Sequence, residues 1–171
     1  NTLTVTGDWT EAAGGLTSAG LVQFTGAAAQ AFNPMGSTFT NVTVNATGPV
    51  TLTGGPFTMS GTLTLTAGTL AAGANGVNVA GNFVRTGGAF TSTGILTFNG
   101  GGAQAFNPTG STFQDITINK AAGTVTASGV LAIRNLTFTA GTLAMGANTL
   151  TVTGDWTQTG GGLTSAGLVQ F

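Results

Sequence analysis

The sequence repeats itself at two spacings. Residues 1–24 return almost unchanged as residues 148–171, with differences only where Glu11, Ala12 and Ala13 become Gln158, Thr159 and Gly160. A more distant copy lies between them at residues 75–98. Self-similarity at a fixed period is the signature of repeat architectures, so the chain is predicted to be a tandem array.

Other segments return at the shorter spacing. AQAFNPMGSTF at 29–39 returns as AQAFNPTGSTF at 103–113, and NVTVN at 41–45 returns as DITIN at 115–119. We divide the chain into units of approximately 1–74 and 75–147 and a partial unit 148–171, all within one continuous segment, 1–171. Near-identity at the longer spacing and divergence at the shorter one indicate a nested repeat. A long array is therefore expected: either it continues past Phe171 as it does past Phe24, or the ends join other copies.

Apolar residues alternate with Thr or Asn over short runs within each unit. Examples are Leu3-Thr4-Val5-Thr6, Val42-Thr43-Val44-Asn45, Leu63-Thr64-Leu65-Thr66 and Ile116-Thr117-Ile118-Asn119. Period-two alternation indicates a strand with one buried and one solvated face. Gly or Asn follows each run after a few residues, so the strands are predicted to be short.

The composition favours strands throughout. Thr makes up about a fifth of the chain, Gly contributes 30 residues, and Lys plus Glu, which helices use freely, amount to two residues. Short, regular, repeated strands fit stacked coils better than a sandwich. We therefore predict an all-β fold, a parallel β-solenoid with roughly three strands in a coil of roughly 18–25 residues, and three or four coils per unit.

Recurring aromatic residues are the predicted interior of this solenoid. They are Phe24, Phe32, Phe39, Phe98, Phe106 and Phe113, together with Trp9, Phe83 and Trp156 at one shared repeat position. Recurring Asn residues are predicted at turns, where Asn tolerates left-handed backbone and bonds to it. They are Asn33, Asn45, Asn75, Asn107, Asn119 and Asn148.

Charge is nearly absent, at 4% of residues with a net charge of −1. Arg85, Lys120 and Arg134 are the only cations, so no basic surface is expected for nucleic acid or for anionic membranes. No apolar run approaches the roughly 20 residues of a membrane helix, and we predict no membrane span. Cys is absent, so the redox compartment cannot be inferred.

The residues of catalysis are scarce as well. The acids are Asp8, Glu11, Asp115 and Asp155; Asp8 is replaced by Asn82 in the middle copy, and Glu11 by Gln158. Two-carboxylate chemistry needs a close pair, which only Asp8 and Glu11 could supply. There is no His or Cys to bind metal or to activate Ser, and Lys120 lacks a Ser-x-x-Lys context. We predict no enzyme activity and no catalytic, cofactor-binding or metal-binding residues.

Thr-x-Thr triplets are the most distinctive surface feature. They occur at Thr4-Val5-Thr6, Thr51-Leu52-Thr53, Thr64-Leu65-Thr66, Thr137-Phe138-Thr139 and Thr151-Val152-Thr153. Their ranks resemble those of β-helical ice-binding proteins, although Asn45, Asn78 and Asn119 interrupt them. Thr is also simply the polar residue that suits an exposed strand. Three segments match the N-glycosylation pattern, Asn41-Val42-Thr43, Asn45-Ala46-Thr47 and Asn135-Leu136-Thr137.

The run from Gly20-Leu21-Val22-Gln23-Phe24 through Gln30-Ala31-Phe32 to Ser37–Asn45 resembles the repeats of large secreted bacterial proteins with adhesin-like or filamentous-haemagglutinin-like β-helices. This resemblance covers essentially the whole chain and implies a secreted or cell-surface fibre, stalk or adhesin. The segment shows no capping sequence, and uncapped coils favour end-to-end strand addition, so we expect other copies or units of the same array as partners, and cell-surface glycans besides. The resemblance transfers no functional residue.

The predicted function is structural, an extracellular or cell-surface filament built from stacked solenoid repeats. An ice-binding or carbohydrate-binding β-helix using the Thr-x-Thr faces is the alternative. A polysaccharide-degrading β-helix is disfavoured, because it needs a groove with clustered Asp, Arg or Lys.

Overall fold

A computed structural model describes residues 1–13 and 15–171. The fold is an all-β parallel solenoid of about eight turns, as predicted. Its strands are β1 (Thr2–Val5), β2 (Trp9–Thr10), β3 (Thr17–Phe24), β4 (Gln30–Asn33), β5 (Thr38–Leu52), β6 (Phe57–Met59), β7 (Leu63–Gly73), β8 (Val77–Val79), β9 (Phe83–Arg85), β10 (Ala89–Ser92), β11 (Ile95–Phe98), β12 (Gln104–Phe106), β13 (Asp115–Ala127), β14 (Leu131–Ile133), β15 (Asn135–Gly146), β16 (Leu150–Val152), β17 (Trp156–Gln158), β18 (Gly162–Ser165) and β19 (Val169–Gln170).

Each coil has three strand segments, which stack into three faces. Face A runs through the paired residues Leu3, Val22, Val42, Leu63, Phe83, Phe106 and Ala127. Val125, on the same strand as Ala127, then pairs with Leu143, which pairs with Leu163. Face B takes in Trp9, Phe32 and Leu52, then Val50, Leu70 and Phe90, and later Leu131, Leu150 and Val169. Face C runs through Ser18, Phe39, Met59, Val79, Phe98, Ile118, Phe138 and Gln158.

Paired residues on adjacent coils lie 18 to 23 residues apart, as with Thr124 and Thr142 or Trp9 and Phe32. Long strands such as β5 bend around the corners and contribute to more than one face. Stacked strands lie about 4.8 Å apart, so about eight coils make a rod about 40 Å long.

The sequence unit and the coil do not match in length. Residues 1–74 contribute eleven strand segments: one each from β1, β2, β4 and β6, two each from β3 and β7, and three from β5. Residues 75–147 also contribute eleven, if the bridge at Thr112 is counted. Eleven segments at three per coil make three and two-thirds coils. Each new unit therefore starts on a different face.

The equivalent residues Leu3, Val77 and Leu150 demonstrate this rotation. Leu3 lies on face A, Val77 on face C and Leu150 on face B. Three units of eleven segments make eleven whole coils, so a continuing array returns to its starting face only after three units. Identical sequence is thus displayed in turn on all three sides of the rod.

The predicted aromatic residues do fill the interior. The six recurring Phe residues and Phe83 are buried, while Trp9 and Trp156 are partly buried against the core. Two equivalent clusters result. Phe24 and Phe32 lie 4.7 Å apart between ring centroids and their counterparts Phe98 and Phe106 lie 4.9 Å apart. The core is continuous between these clusters, with Leu, Val and Ile side chains on every coil.

The prediction of left-handed Asn residues is wrong. Among the described residues, every positive φ outside the extended region belongs to Gly, as at Gly68 (φ 71°) and Gly141 (φ 86°). A Cβ at Gly68 would lie 2.4 Å from the carbonyl oxygen of Ala46 on the previous coil. Glycine is needed there both for its backbone conformation and for the close approach of the coils.

Candidate functional site

Asp8, the first acidic residue of the repeat, forms a hydrogen bond between two neighbouring coils. The Asp8 carboxylate accepts a hydrogen bond from the Ala31 backbone N–H at 2.7 Å, across one coil. Asn82 in the middle copy accepts the corresponding bond from the Ala105 N–H at 2.8 Å. Because a neutral amide fills the same role, this position needs an acceptor and no negative charge.

Two other charged residues form an ion pair across neighbouring coils. Asp115 forms a two-bonded ion pair with Arg134 on the next coil, with Nη2–Oδ2 and Nε–Oδ1 distances of 2.7 and 3.1 Å. The hydrogen bond from Arg134 raises the pKa of its guanidinium. Asp155 is exposed. Among the described residues no three Asp, Glu, His or Cys side chains come together as a metal site would require.

Lys120 is the one charged residue in the interior. It is fully buried, and its Nζ donates to the carbonyl oxygens of Gly100 and Gly102, both at 2.7 Å, and to Oε1 of Gln104. Burial lowers the pKa of the Lys120 ammonium, because desolvation disfavours its charged form. The equivalent residue in the first unit is Ala46, also buried.

Gln104, which contacts Lys120, and the equivalent Gln30 of the first unit are both buried and bond to the backbone at a corner of the coil. Gln30 donates to the carbonyl oxygens of Val5 and Gly7 and accepts from the Gly26 N–H. Gln104 repeats the pattern, donating to Val79 and Gly81 and accepting from Gly100. The sequence interpretation did not single out either residue.

The predicted Asn residues divide into two groups. Asn33 and Asn107 donate across one coil to the carbonyl oxygens of Glu11 and Arg85, and Asn75 and Asn148 donate likewise to Leu52 and Ala127. Asn45 and Asn119 instead lie within long strands, at irregularities of the pairing. The backbone-bonding role is therefore confirmed for the first four.

Outward-facing Thr residues form a rank on face C. Thr97, Thr117, Thr137 and Thr157 pair in direct succession on four coils, and Asn78 precedes them. The equivalent positions of the first unit lie on face A, where the rank reads Thr4, Gln23, Thr43, Thr64 and Val84. Each unit thus carries one short rank, and the next unit carries it on another side.

A shallow groove runs along one corner of the rod in each unit. The first groove encloses about 350 Å³ and lies where face C meets face A; it is lined by Thr17, Ser18, Ala19, Thr38, Phe39, Thr40, Thr58, Met59, Ser60, Ala80 and Asn99. The second encloses about 370 Å³ where face B meets face C; it is lined by Ser92, Thr93, Thr112, Phe113, Gln114, Ala132, Ile133, Arg134 and Thr153. Each residue of the second set is equivalent in the repeat to one of the first, while Thr17 and Asn99 have no counterpart in the second set.

The three glycosylation patterns differ in accessibility. Asn41 and Asn135 accept backbone hydrogen bonds from Thr62 and Asp155, both at 2.8 Å, and are partly buried. Asn45 is exposed. Two of the three amides are therefore engaged in coil stacking.

Comparisons with known proteins give no family and no relative from which a function could be inferred. The chain matches no family model, no curated protein and no solved structure. Within the described part of the chain, there is also no helix with the length and apolar character needed to cross a membrane.

Proposed function

We propose that the chain is a rod-forming element of an extracellular or cell-surface fibre, stalk or adhesin, with a mechanical and not a catalytic role. The observation that carries this proposal is the mismatch between unit and coil. Eleven strand segments turn each successive unit onto a new face, so the repeat does not maintain one functional surface along one side. What recurs between units is the packing.

The recurring contacts support this proposal residue by residue. The hydrogen bonds of Gln30, Asn33 and Asp8 all cross from one coil to the next, and their counterparts do the same on different faces. The buried aromatic clusters recur as well. Selection for a uniform rod accounts for such a pattern, since coils in a solenoid contact only their neighbours.

Further units or copies of the same array are the proposed partner. Residues 148–171 pair with the preceding coil through Leu150 on Leu131, Trp156 on Leu136 and Leu163 on Leu143. Residues 1–24 carry nearly the same sequence and pair on their other side with β3, β4 and β5, so residues 148–171 offer an equivalent surface to a further coil. A secreted or surface location, and adhesion to glycans there, rest on the resemblance to large bacterial surface proteins.

The test is electron microscopy of a tandem series. Arrays with one, two and three added 74-residue units should be rods of constant width that lengthen by about 18 Å per unit, from three and two-thirds coils at about 4.8 Å each. Sedimentation at rising concentration measures association between copies. Rounded particles, or a length that does not increase with unit number, would refute the rod; strict monomers would refute self-association alone.

A second candidate function is ice binding by the Thr rank of face C. It is favoured by the four consecutive rungs Thr97, Thr117, Thr137 and Thr157. Thermal hysteresis should then fall on Thr117→Lys and persist on Thr43→Lys, which changes the equivalent residue on the interrupted rank of face A. Absence of hysteresis in the unmodified chain would reject this function.

A further inference from the structure

Face B of the rod is interrupted in the second unit. The described strands divide into a main sheet of sixteen strands and a separate sheet of three, which consists of β14, β16 and β19. Below this small sheet, Thr112 joins face B only by an isolated bridge to the preceding coil. Phe113 and Ile133 are both described and lie on successive coils there, but they form no backbone pair. The equivalent residues of the first unit, Phe39 and Met59, do pair, so the same stack is continuous in that unit.

The two units differ in the turn that leads into the interrupted stack. Four residues connect β5 to β6 in the first unit, whereas three connect β13 to β14 in the second. The hydrogen bonds after the turn differ by one residue as well. Ser60 donates its backbone N–H to the Phe39 carbonyl oxygen, but the equivalent Arg134 donates to that of Gln114. Phe113 thereby lacks the Arg134 donor, and its side chain is 5% exposed against 1% for Phe39.

The ion pair of Arg134 and Asp115 lies beside this interruption. Asp115 belongs to the lower coil and Arg134 to the upper one, so their two hydrogen bonds of 2.7 and 3.1 Å join the two coils there. The first unit has Asn41 and Ser60 at these positions, and neither side chain carries a charge. The charged pair therefore occurs in the unit whose backbone pairing is interrupted.

We propose that this interruption is an opening point of the rod, and that the Arg134–Asp115 pair is a salt-sensitive latch that holds it closed. Local opening needs the least free energy where backbone pairing and buried contacts are fewest. Because the Arg134 side chain is 50% exposed, salt screens its attraction for Asp115. A force that bends the rod open on face B would part the coils at Phe113 and Ile133 first. This inference goes beyond the rod function, which microscopy tests separately.

Hydrogen exchange of the whole chain, resolved by NMR, measures this opening. The backbone amides of Arg134 and Ser60 are the matched probes, because each donates to a carbonyl oxygen of the preceding coil, at 2.7 and 2.9 Å. A difference in their protection factors therefore reports how often the coils part. The protection factor of Arg134 should be lower by about fivefold or more, the change expected for one backbone hydrogen bond. Raising NaCl from about 0.02 M to about 0.5 M should lower it further and leave that of Ser60 unchanged.

Asp115→Asn removes the latch by introducing the residue found at Asn41 in the first unit. The protection factor of Arg134 should fall by a further factor of about two to five and lose its dependence on salt. Asp8→Asn is the matched control, an identical change in a carboxylate of the first unit, and it should alter neither quantity. The proposal is overturned if Arg134 and Ser60 are equally protected, or if Asp115→Asn leaves the protection of Arg134 and its response to salt unchanged.

Discussion

Lys120 gives the chain an unusually simple dependence of stability on pH. The sequence has no His, Cys or Tyr, so no side chain of these three kinds adds to the pH dependence of stability between about pH 6 and pH 11. Burial lowers the Lys120 pKa in the folded state, while the unfolded chain has the ordinary value of about 10.4. In the window between these two values the unfolded state holds the proton more tightly.

Stability must therefore rise with pH across that window. The free energy of unfolding gains at most about 1.4 kcal/mol per pH unit, the limit for one proton. The gain begins near the folded pKa, is complete above the unfolded value of about 10.4, and is lost again as the pH falls. Urea unfolding followed by circular dichroism from pH 6 to pH 11 measures the effect.

The variant Lys120→Ala is the decisive comparison, since it restores the residue found at Ala46 in the first unit. Its unfolding free energy should lack the alkaline rise, because the substitution removes the buried ammonium whose pKa is lowered and changes no other ionisable group. Equal slopes in the two proteins, or a fall in stability with rising pH in the unmodified chain, would refute the burial argument for Lys120.

Substitutions at three further positions test the packing, each by urea unfolding. Asp8→Asn should change stability by less than about 0.5 kcal/mol and Asp8→Ala should cost about 1 kcal/mol, because only an acceptor for the Ala31 N–H is needed; equal losses would contradict this. Phe32→Ala should cost about 3–5 kcal/mol, since the buried ring contacts four other aromatic rings; a loss below about 1 kcal/mol would contradict it. Gly68→Ala should cost more than about 1 kcal/mol through its positive φ and its approach to Ala46, and an unchanged midpoint would count against that strain.

Period-two alternation made the strands and the core predictable. In Val42-Thr43-Val44 and Ile116-Thr117-Ile118 the apolar residues face inward whichever coil they pair with, so burial follows from the local sequence alone. The sequence also predicted three or four coils per unit, and the structure has three and two-thirds. Turns at every six or seven residues fix the length of a segment before its neighbours are known.

The buried cation was missed because its partners are distant in sequence. Gly100, Gly102 and Gln104 lie 16 to 20 residues before Lys120, on another coil. One signal was nevertheless present. Lys120 has the inward parity of Ile116 and Ile118, and it is aligned with an Ala in the first unit. A long cation at an inward position predicts a buried hydrogen-bonding site.

The Asn residues do not take the left-handed backbone, for a physical reason. Asn33 and Asn107 make a side-chain bond to the preceding coil, which requires the amide and places no demand on φ. The left-handed positions are held by Gly, and at some of them, such as Gly68, the coils also approach too closely for a Cβ. Backbone conformation and side-chain bonding are thus divided between two residue types.

The eleven-segment unit joins these observations. Twelve segments would make four whole coils, and every unit would place its aromatic cluster on the same side of the interior. With eleven, the equivalent residues Trp9, Phe83 and Trp156 fall on faces B, A and C in turn. Bulky rings are thereby distributed around the axis, and so is each groove and each Thr rank. A surface substitution in one unit consequently changes one side of the rod over less than four coils. This arrangement favours a function in which partners can contact the rod from any side over a function that needs one long flat face.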